Sequence, residues 1–277
     1  MSAYAYYNGS FDEYGKIRLP LSDRAVFFGD GVYDAAVGEA GAVFRYEEHF
    51  ERFKSNAEKI GLKFDFNKAR LFEIFTELIR LSELKSYFLY FQLSAYGRER
   101  AHERKDAGAN LLVTVKPWCL PSERGEISLC TAKDIRYSLC NIKTLNILPA
   151  VLFSTKAREG GFDECVFLRG VCVTECAHSN VFIIKNGVLR TAPAGEAVLA
   201  GITRKIILTL AEESGIKSEI SHFTYRDMLE ADDVFISSTS KLCQHVKRIN
   251  NRKMPSKSSV YTELCHLLYE HYRSCFE

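Results

Sequence analysis

Lys143 lies in Cys140-Asn141-Ile142-Lys143-Thr144-Leu145-Asn146, among apolar, small or neutral neighbours. A lysine carried toward an interior must be paired, used covalently or deprotonated. A free amine in such a place attacks a carbonyl carbon and forms an imine. Thr174-Glu175 follows in strand-forming surroundings, and Gly201-Ile202-Thr203-Arg204 opens a strongly helical stretch. A buried carboxylate can hold a proton on a heterocyclic nitrogen, and a helix start with free N–H groups binds phosphate. Imine formation, ring protonation and phosphate binding are together the parts needed for pyridoxal 5'-phosphate.

Each residue alone has a plainer reading. A single lysine in a strand is most often a surface residue, and a single glutamate a solvated one. Thr203 could simply cap the helix that follows it. Arg52, in His49-Phe50-Glu51-Arg52, and Ser238-Thr239 add candidates for a phosphate, though singly they read as a surface arginine and a turn. Arg100-Ala101-His102 stands in a loop crowded with charge, where solvation is the plain reading. Its chemical reading is a carboxylate trap, with a guanidinium fork and an imidazole as donors. Tyr33 could lend that trap a hydroxyl or serve as core. His178 could be a polar contact of the site or a solvated loop residue.

The elements that must carry these residues follow from periodicity. Asn8-Gly9 predicts a hairpin. Residues 47–60 and 67–84 predict amphipathic helices, with Phe50, Phe53, Ala57 and Ile60 on one face and Leu71, Ile74, Phe75, Leu78 and Leu81 on the other's. Residues 87–94 and 110–115 predict strands. Beyond Pro117 and Pro121, strands are expected at 126–132, 164–168, 171–174, 181–184 and 233–237, with helices at 149–159, 203–214 and 258–276. The two prolines mark a linker at 117–122 between domains spanning 1–116 and 123–277, the second carrying the lysine. Strands and helices mix in both halves, so the class is α/β or α+β.

The bulk numbers narrow the functions. The chain has 277 residues, 47% hydrophobic and 26% charged, with a formal net charge of +2. That charge offers nothing to attract nucleic acid or an anionic membrane surface. No apolar run reaches the length of a membrane span, and no signal peptide is apparent at the N-terminus. The nine cysteines are odd in number and irregularly spaced, which suits a reducing cytoplasm better than a disulfide framework, and no zinc-finger spacing suggests a metal site.

In order along the chain, these motifs resemble the class IV pyridoxal-phosphate-dependent aminotransferases. That family holds the D-amino acid and branched-chain aminotransferases and the aminodeoxychorismate lyases. Arg24 through Gly29-Asp30-Gly31-Val32-Tyr33 is similar to its N-terminal signature, and His49-Phe50-Glu51-Arg52 to its phosphate arginine. Asn141-Ile142-Lys143-Thr144-Leu145-Asn146 is similar to its Schiff-base segment. Val173-Thr174-Glu175 with Ser179-Asn180-Val181-Phe182 is similar to the segment of its pyridine-nitrogen carboxylate. Gly201-Ile202-Thr203-Arg204 and Ser238-Thr239 resemble its phosphate cup.

The resemblance implies a smaller N-terminal α/β domain, a larger C-terminal domain with a barrel-like sheet, and a homodimer. It implies a catalytic Lys143, with Arg52, Glu175, Ile202, Thr203, Ser238 and Thr239 on the cofactor and Tyr33, Arg100 and His102 on the substrate. Arg100-Ala101-His102, after Tyr90-Phe91-Gln92, resembles the carboxylate trap of the D-amino acid enzymes, which reaches over from the partner subunit. It implies ping-pong transamination between a D-amino acid, of the D-alanine or D-glutamate type, and a 2-oxo acid. The alternatives are a branched-chain L-amino acid aminotransferase and then an aminodeoxychorismate lyase. Ala95-Tyr96, Tyr137, Asn141 and Cys176-Ala177-His178 depart from the D-enzyme pattern and bear on the side chain accepted.

Overall fold

The protein is described by a computed structural model covering residues 3–105 and 108–277. Apart from the last two residues, it divides into two compact units. The first comprises the chain up to Cys119 together with Ile142–Asn146; the second comprises Leu120–Asn141 and Ile147–Cys275.

In the first unit, strands β1 (Tyr4–Tyr7) and β2 (Ser10–Glu13) form the hairpin expected around Asn8-Gly9. Both turn residues have positive φ, 42° and 99°, as a two-residue turn matched to strand twist requires. A short helix α1 (Arg24–Phe28) is capped by the Asp23 side chain, which accepts the Ala25 N–H. Strand β3 (Gly31–Glu39) and the short β4 (Ala42–Val43) follow, then helices α2 (Tyr46–Lys59) and α3 (Lys68–Ser82), and strands β5 (Ser86–Ala95) and β6 (Ala109–Pro117). The six strands pair antiparallel in the order β2-β1-β6-β5-β3-β4. The apolar stripes of α2 and α3 are buried with the sheet: Phe53 and Phe75 both pack on Phe91, with ring centroids 4.8 Å and 5.2 Å away. Burial of side chains this size stabilises by about 1.5–3 kcal/mol each.

The second unit begins with β7 (Glu126–Lys133), α4 (Leu148–Glu159), β8 (Glu164–Arg169), β9 (Cys172–Cys176), β10 (Asn180–Lys185) and β11 (Val188–Thr191). It continues with α5 (Ile202–Glu213), β12 (Ser218–Ile220), α6 (Tyr225–Leu229), β13 (Asp233–Ser238), β14 (Leu242–Ile249), β15 (Arg252–Lys253) and α7 (Ser259–Ser274). Its nine-stranded sheet runs β12-β11-β10-β13-β14-β7-β8-β9, with β15 on β14. The sheet is mixed: β7 is parallel to β14 and β8, and β11 to β12, while the other pairs are antiparallel. The path ends at β9, yet β10, the third strand from the other end of the path, follows β9 after three residues, so the sheet curls back on itself as a half-barrel. An apolar core of Val166, Val181, Ile183, Val234, Ile236 and Val246 lines it.

Two expectations are corrected here. The segment with Lys143 is not a strand; it makes one isolated bridge, Thr144 opposite Val32. It is also part of the first unit, although its sequence lies inside the span of the second. Strands β3, β4, β11, β12, β14 and β15 are additional to those expected; β3 buries Asp34, and β14 buries Gln244 and His245.

Candidate active site

Strand β3 presents successive residues to opposite faces. Asp34 is fully buried and faces α2, where Arg52 grips it through Nε and Nη2, each at 2.7 Å, and His49 Nδ1 lies 2.8 Å away. Burial alone would raise the Asp34 pKa, but Arg52 and His49 hold it below the usual carboxylate range. Burial pushes His49 below the ordinary imidazole value. Arg52, the expected phosphate arginine, is thus oriented by a carboxylate that local pattern did not single out.

Tyr33, one residue earlier, stacks on Tyr90 at 5.4 Å. Lys143 Nζ donates to its hydroxyl at 3.4 Å and lies 4.4 Å from its ring centroid. The backbone of the lysine segment is fastened to the start of the same strand. Tyr33 N–H donates to the Lys143 carbonyl at 2.9 Å, Leu145 N–H to the Gly31 carbonyl at 3.0 Å, and Asn146 Nδ2 to the Gly29 carbonyl at 2.9 Å. The amine is therefore placed by main-chain bonds while its side chain is only half-buried.

The Arg100–His102 loop is held from below. Arg24, itself buried, donates to the carbonyls of Ala101 at 2.5 Å and His102 at 2.9 Å, and to Asp30 at 2.7 Å. Arg104 also binds Asp30. Phe28 packs beneath, 5.2 Å from the Arg100 guanidinium and 5.6 Å from the His102 ring. Both side chains remain exposed. Tyr33 pairs with Lys143 and Tyr90, whereas Arg100 and His102 rest on Phe28.

In the second unit Glu175, on β9, is buried among donors. Arg136 Nη1 reaches Oε1 at 2.5 Å, while Asn180 Nδ2 and the Leu199 N–H reach Oε2 at 3.1 Å and 3.0 Å. Arg136 also binds Asp134 through Nε and Nη2 at 3.0 Å each and the Ala197 carbonyl at 3.0 Å. Burial opposes the Arg136 charge, but Asp134 and Glu175 raise its pKa above the ordinary value. Sequence reasoning missed Arg136. Its only signal was a basic residue two places after Asp134 at the end of a strand.

The helix start at 201–203 differs in detail from its plain reading. The N-cap is Gly201, not Thr203; no side chain caps the helix, and Thr203 is buried inside its first turn. A Cβ on Gly201 would meet Asn180 Oδ1 at 2.0 Å, so a side chain there would push the Asn180 amide off Glu175 and the Leu199 carbonyl. Ser238 Oγ, on the last residue of β13, is buried without a hydrogen-bond partner. An uncapped helix N-terminus, an unsatisfied buried hydroxyl and a close-approach glycine fit an organic phosphate, and the Glu175 carboxylate on its cationic support fits a protonated ring nitrogen. His178 is fastened nearby, with its Nε2 2.8 Å from Ser154 Oγ.

Comparison with known proteins agrees with this chemistry. The family described as Amino-transferase class IV matches residues 31–249. The chain is 34% identical over 240 residues to the D-alanine aminotransferase of Bacillus licheniformis, covering 84% of each chain. It is 36% identical over 228 residues to that of Listeria innocua, covering 80% of this chain and 79% of the other. Among solved structures, the branched-chain aminotransferase of Thermoproteus uzoniensis with norvaline superposes with a TM-score of 0.91 at 19% identity, over 100% of this chain and 97% of that one. A putative 4-amino-4-deoxychorismate lyase of Legionella pneumophila gives 0.86 at 21% identity, over 92% and 96%. At such identities the structural likeness is one of fold.

Proposed function

The chain belongs to the class IV aminotransferases, and from that premise we propose that it moves the amino group of a D-amino acid, of the D-alanine or D-glutamate type, to a 2-oxo acid. The observation that carries the choice of a D-substrate is the similarity to relatives named D-alanine aminotransferases; the Arg100–His102 loop, whose two exposed donors are held by Arg24 through its carbonyls, offers a place for the α-carboxylate. A guanidinium and an imidazole so presented suit an α-carboxylate.

Pyridoxal phosphate, when bound, supplies the electron sink that makes the substrate's α-hydrogen acidic. Ile202, Thr203, Ser238, Thr239 and Arg52 would hold its phosphate. Glu175 would keep a proton on its ring nitrogen, its own negative charge secured by Arg136. Lys143 would hold the cofactor as well, and its Nζ, beside the Tyr33 hydroxyl, would remove the substrate's α-proton and later return it, as base and then acid. Arg100 and His102 bind the substrate carboxylate, with Tyr33 as a third donor. Since both loop side chains point to solvent, we infer that they serve the site of a second copy in a homodimer. Helix α4 exposes Leu148, Val151 and Leu152, a surface that a second copy would cover. Nine free cysteines suit a reducing cytoplasm.

The deciding experiment offers D-alanine, D-glutamate, L-leucine and aminodeoxychorismate in parallel, with 2-oxoglutarate as acceptor for D-alanine and L-leucine and pyruvate as acceptor for D-glutamate. Turnover confined to L-leucine, or pyruvate release from aminodeoxychorismate without an acceptor, rejects the D-amino acid reading. In the same assay Arg100→Ala should raise KM for the D-amino acid at least tenfold while cofactor retention stays unchanged.

A further inference from the structure

Glu164 opens β8 with its side chain wholly buried, and nothing in the mechanism above employs it. Its Oε1 accepts the His178 N–H at 2.8 Å. Its Oε2 accepts the Ser179 hydroxyl at 3.1 Å and the Lys241 ammonium at 2.5 Å. A carboxylate is kept in such a place only when its partners offset the lost hydration. The partners come from two separate turns. His178 and Ser179 belong to the three-residue link from β9 to β10, and Lys241 to the turn between β13 and β14, where its N–H donates to the Ser238 carbonyl at 3.3 Å.

Those two turns flank the groups assigned to the cofactor. Glu175 stands just before the first turn and Asn180 just after it; Ser238 ends β13 just before the second turn, and Thr239 opens that turn. On one side the sheet itself sets the spacing, since β10 and β13 are neighbours with Asn180 opposite Ser237. On the other side β9 ends the sheet path, and no ladder among the described residues joins it to β10. In place of a ladder, β9 meets β10 through the Asn180 side chain on Glu175 at 3.1 Å and the Cys176 N–H, which donates to the Ser179 carbonyl at 2.7 Å. The carboxylate of Glu164 bridges that seam.

We propose that Glu164 and Lys241 are positioning residues, an ion pair that fixes the β9–β10 link against the β13–β14 turn and so sets the spacing between Glu175 and the Ser238–Thr239 hydroxyls. The pair acts through the two turns, not by contact with the ligand. It rests on the reading that this cradle holds pyridoxal phosphate.

The test compares the full-length wild type with Lys241→Met, the double variant Glu164→Gln/Lys241→Met, and Lys241→Arg. Two quantities are read: retention of pyridoxal phosphate by the holoenzyme during dialysis against inorganic phosphate, and the urea midpoint after the cofactor has been removed, so that ligand binding does not enter the stability. Lys241→Met strands a buried charge and should lose both stability and retention. The double variant strands none and should regain the midpoint, yet it lacks the tie between the turns and should still hold the cofactor about tenfold more weakly, the loss of one such bond. Lys241→Arg keeps the tie and should match the wild type in both. Retention that simply follows the urea midpoint across the set, or normal retention in the double variant, overturns the proposal. A wild type that holds no pyridoxal phosphate overturns the cofactor reading, and the purpose of the clamp with it.

Discussion

Lys143 is placed by its main chain, so its side chain can be changed without dismantling its setting. Lys143→Ala should abolish transamination and the absorption band of the covalently held cofactor while leaving the circular dichroism and urea midpoint near wild type; appreciable turnover in that variant sinks the assignment. Arg136 is the opposite case. Its removal as Arg136→Met leaves Asp134 and Glu175 buried without their shared cation, and a loss of about 3–5 kcal/mol in urea unfolding is expected. Arg80→Met, which breaks an exposed helical pair with Glu77, should leave the midpoint unmoved. The contrast also explains what local sequence could reveal. Lys143, Glu175 and Gly201 sit in short contiguous patterns. Arg136 meets Glu175 from 39 positions away and Arg52 meets Asp34 from 18, and no spacing rule reaches that far.

The longer helices were legible because an apolar stripe recurs every three to four residues, as in α2, α3 and α7, and those three were found within a few residues of their ends, whereas the five-residue α1 and α6 were not expected. Strands β3 and β14 escaped, although β8 and β13, which also bury polar side chains, were found at 164–168 and 233–237. A buried carboxylate on β13 carries a pH prediction. Asp233, on β13, accepts the N–H of Ser258, the N-cap of α7, at 2.7 Å, and its other oxygen lies 3.3 Å from His245 Nε2 without a hydrogen bond. Burial raises its pKa from 3.8 to about 6. The folded state therefore holds this proton more tightly than the unfolded chain. Its contribution is fully favourable below pH 3.8 and is lost as pH climbs to about 6, a penalty of roughly 3 kcal/mol at neutrality. Asp233→Asn keeps an acceptor for Ser258 and should stabilise the protein at pH 7 by about 1–3 kcal/mol, with the gain gone by pH 4 in paired urea titrations. A gain that is the same at both pH values would assign it to some cause other than the buried charge.

At the scale of the whole molecule, the exposed apolar residues of α4 bear on assembly. On the homodimer proposed above, Leu148→Glu combined with Leu152→Glu should shift the sedimenting species from two chains to one; a wild type that sediments as one chain rejects that proposal, and an unchanged dimer places the interface elsewhere. Fold class and the presence of two units could be read from alternating strand and helix patterns and from Pro117 and Pro121. The allegiance of residues 142–146 could not, because it is decided by hydrogen bonds to a strand more than a hundred residues upstream. That allegiance limits how such a protein can be rearranged by recombination. A crossover placed at the proline-rich linker would exchange the strand that seats the lysine while leaving the lysine with the other parent. A chimera made there inherits its seat from one ancestor and its amine from another, and it works only if Tyr33, Gly31 and Gly29 still meet the 143–146 segment they were paired with. The unit that can be shuffled intact is not the contiguous N-terminal stretch, but that stretch together with five residues encoded much later.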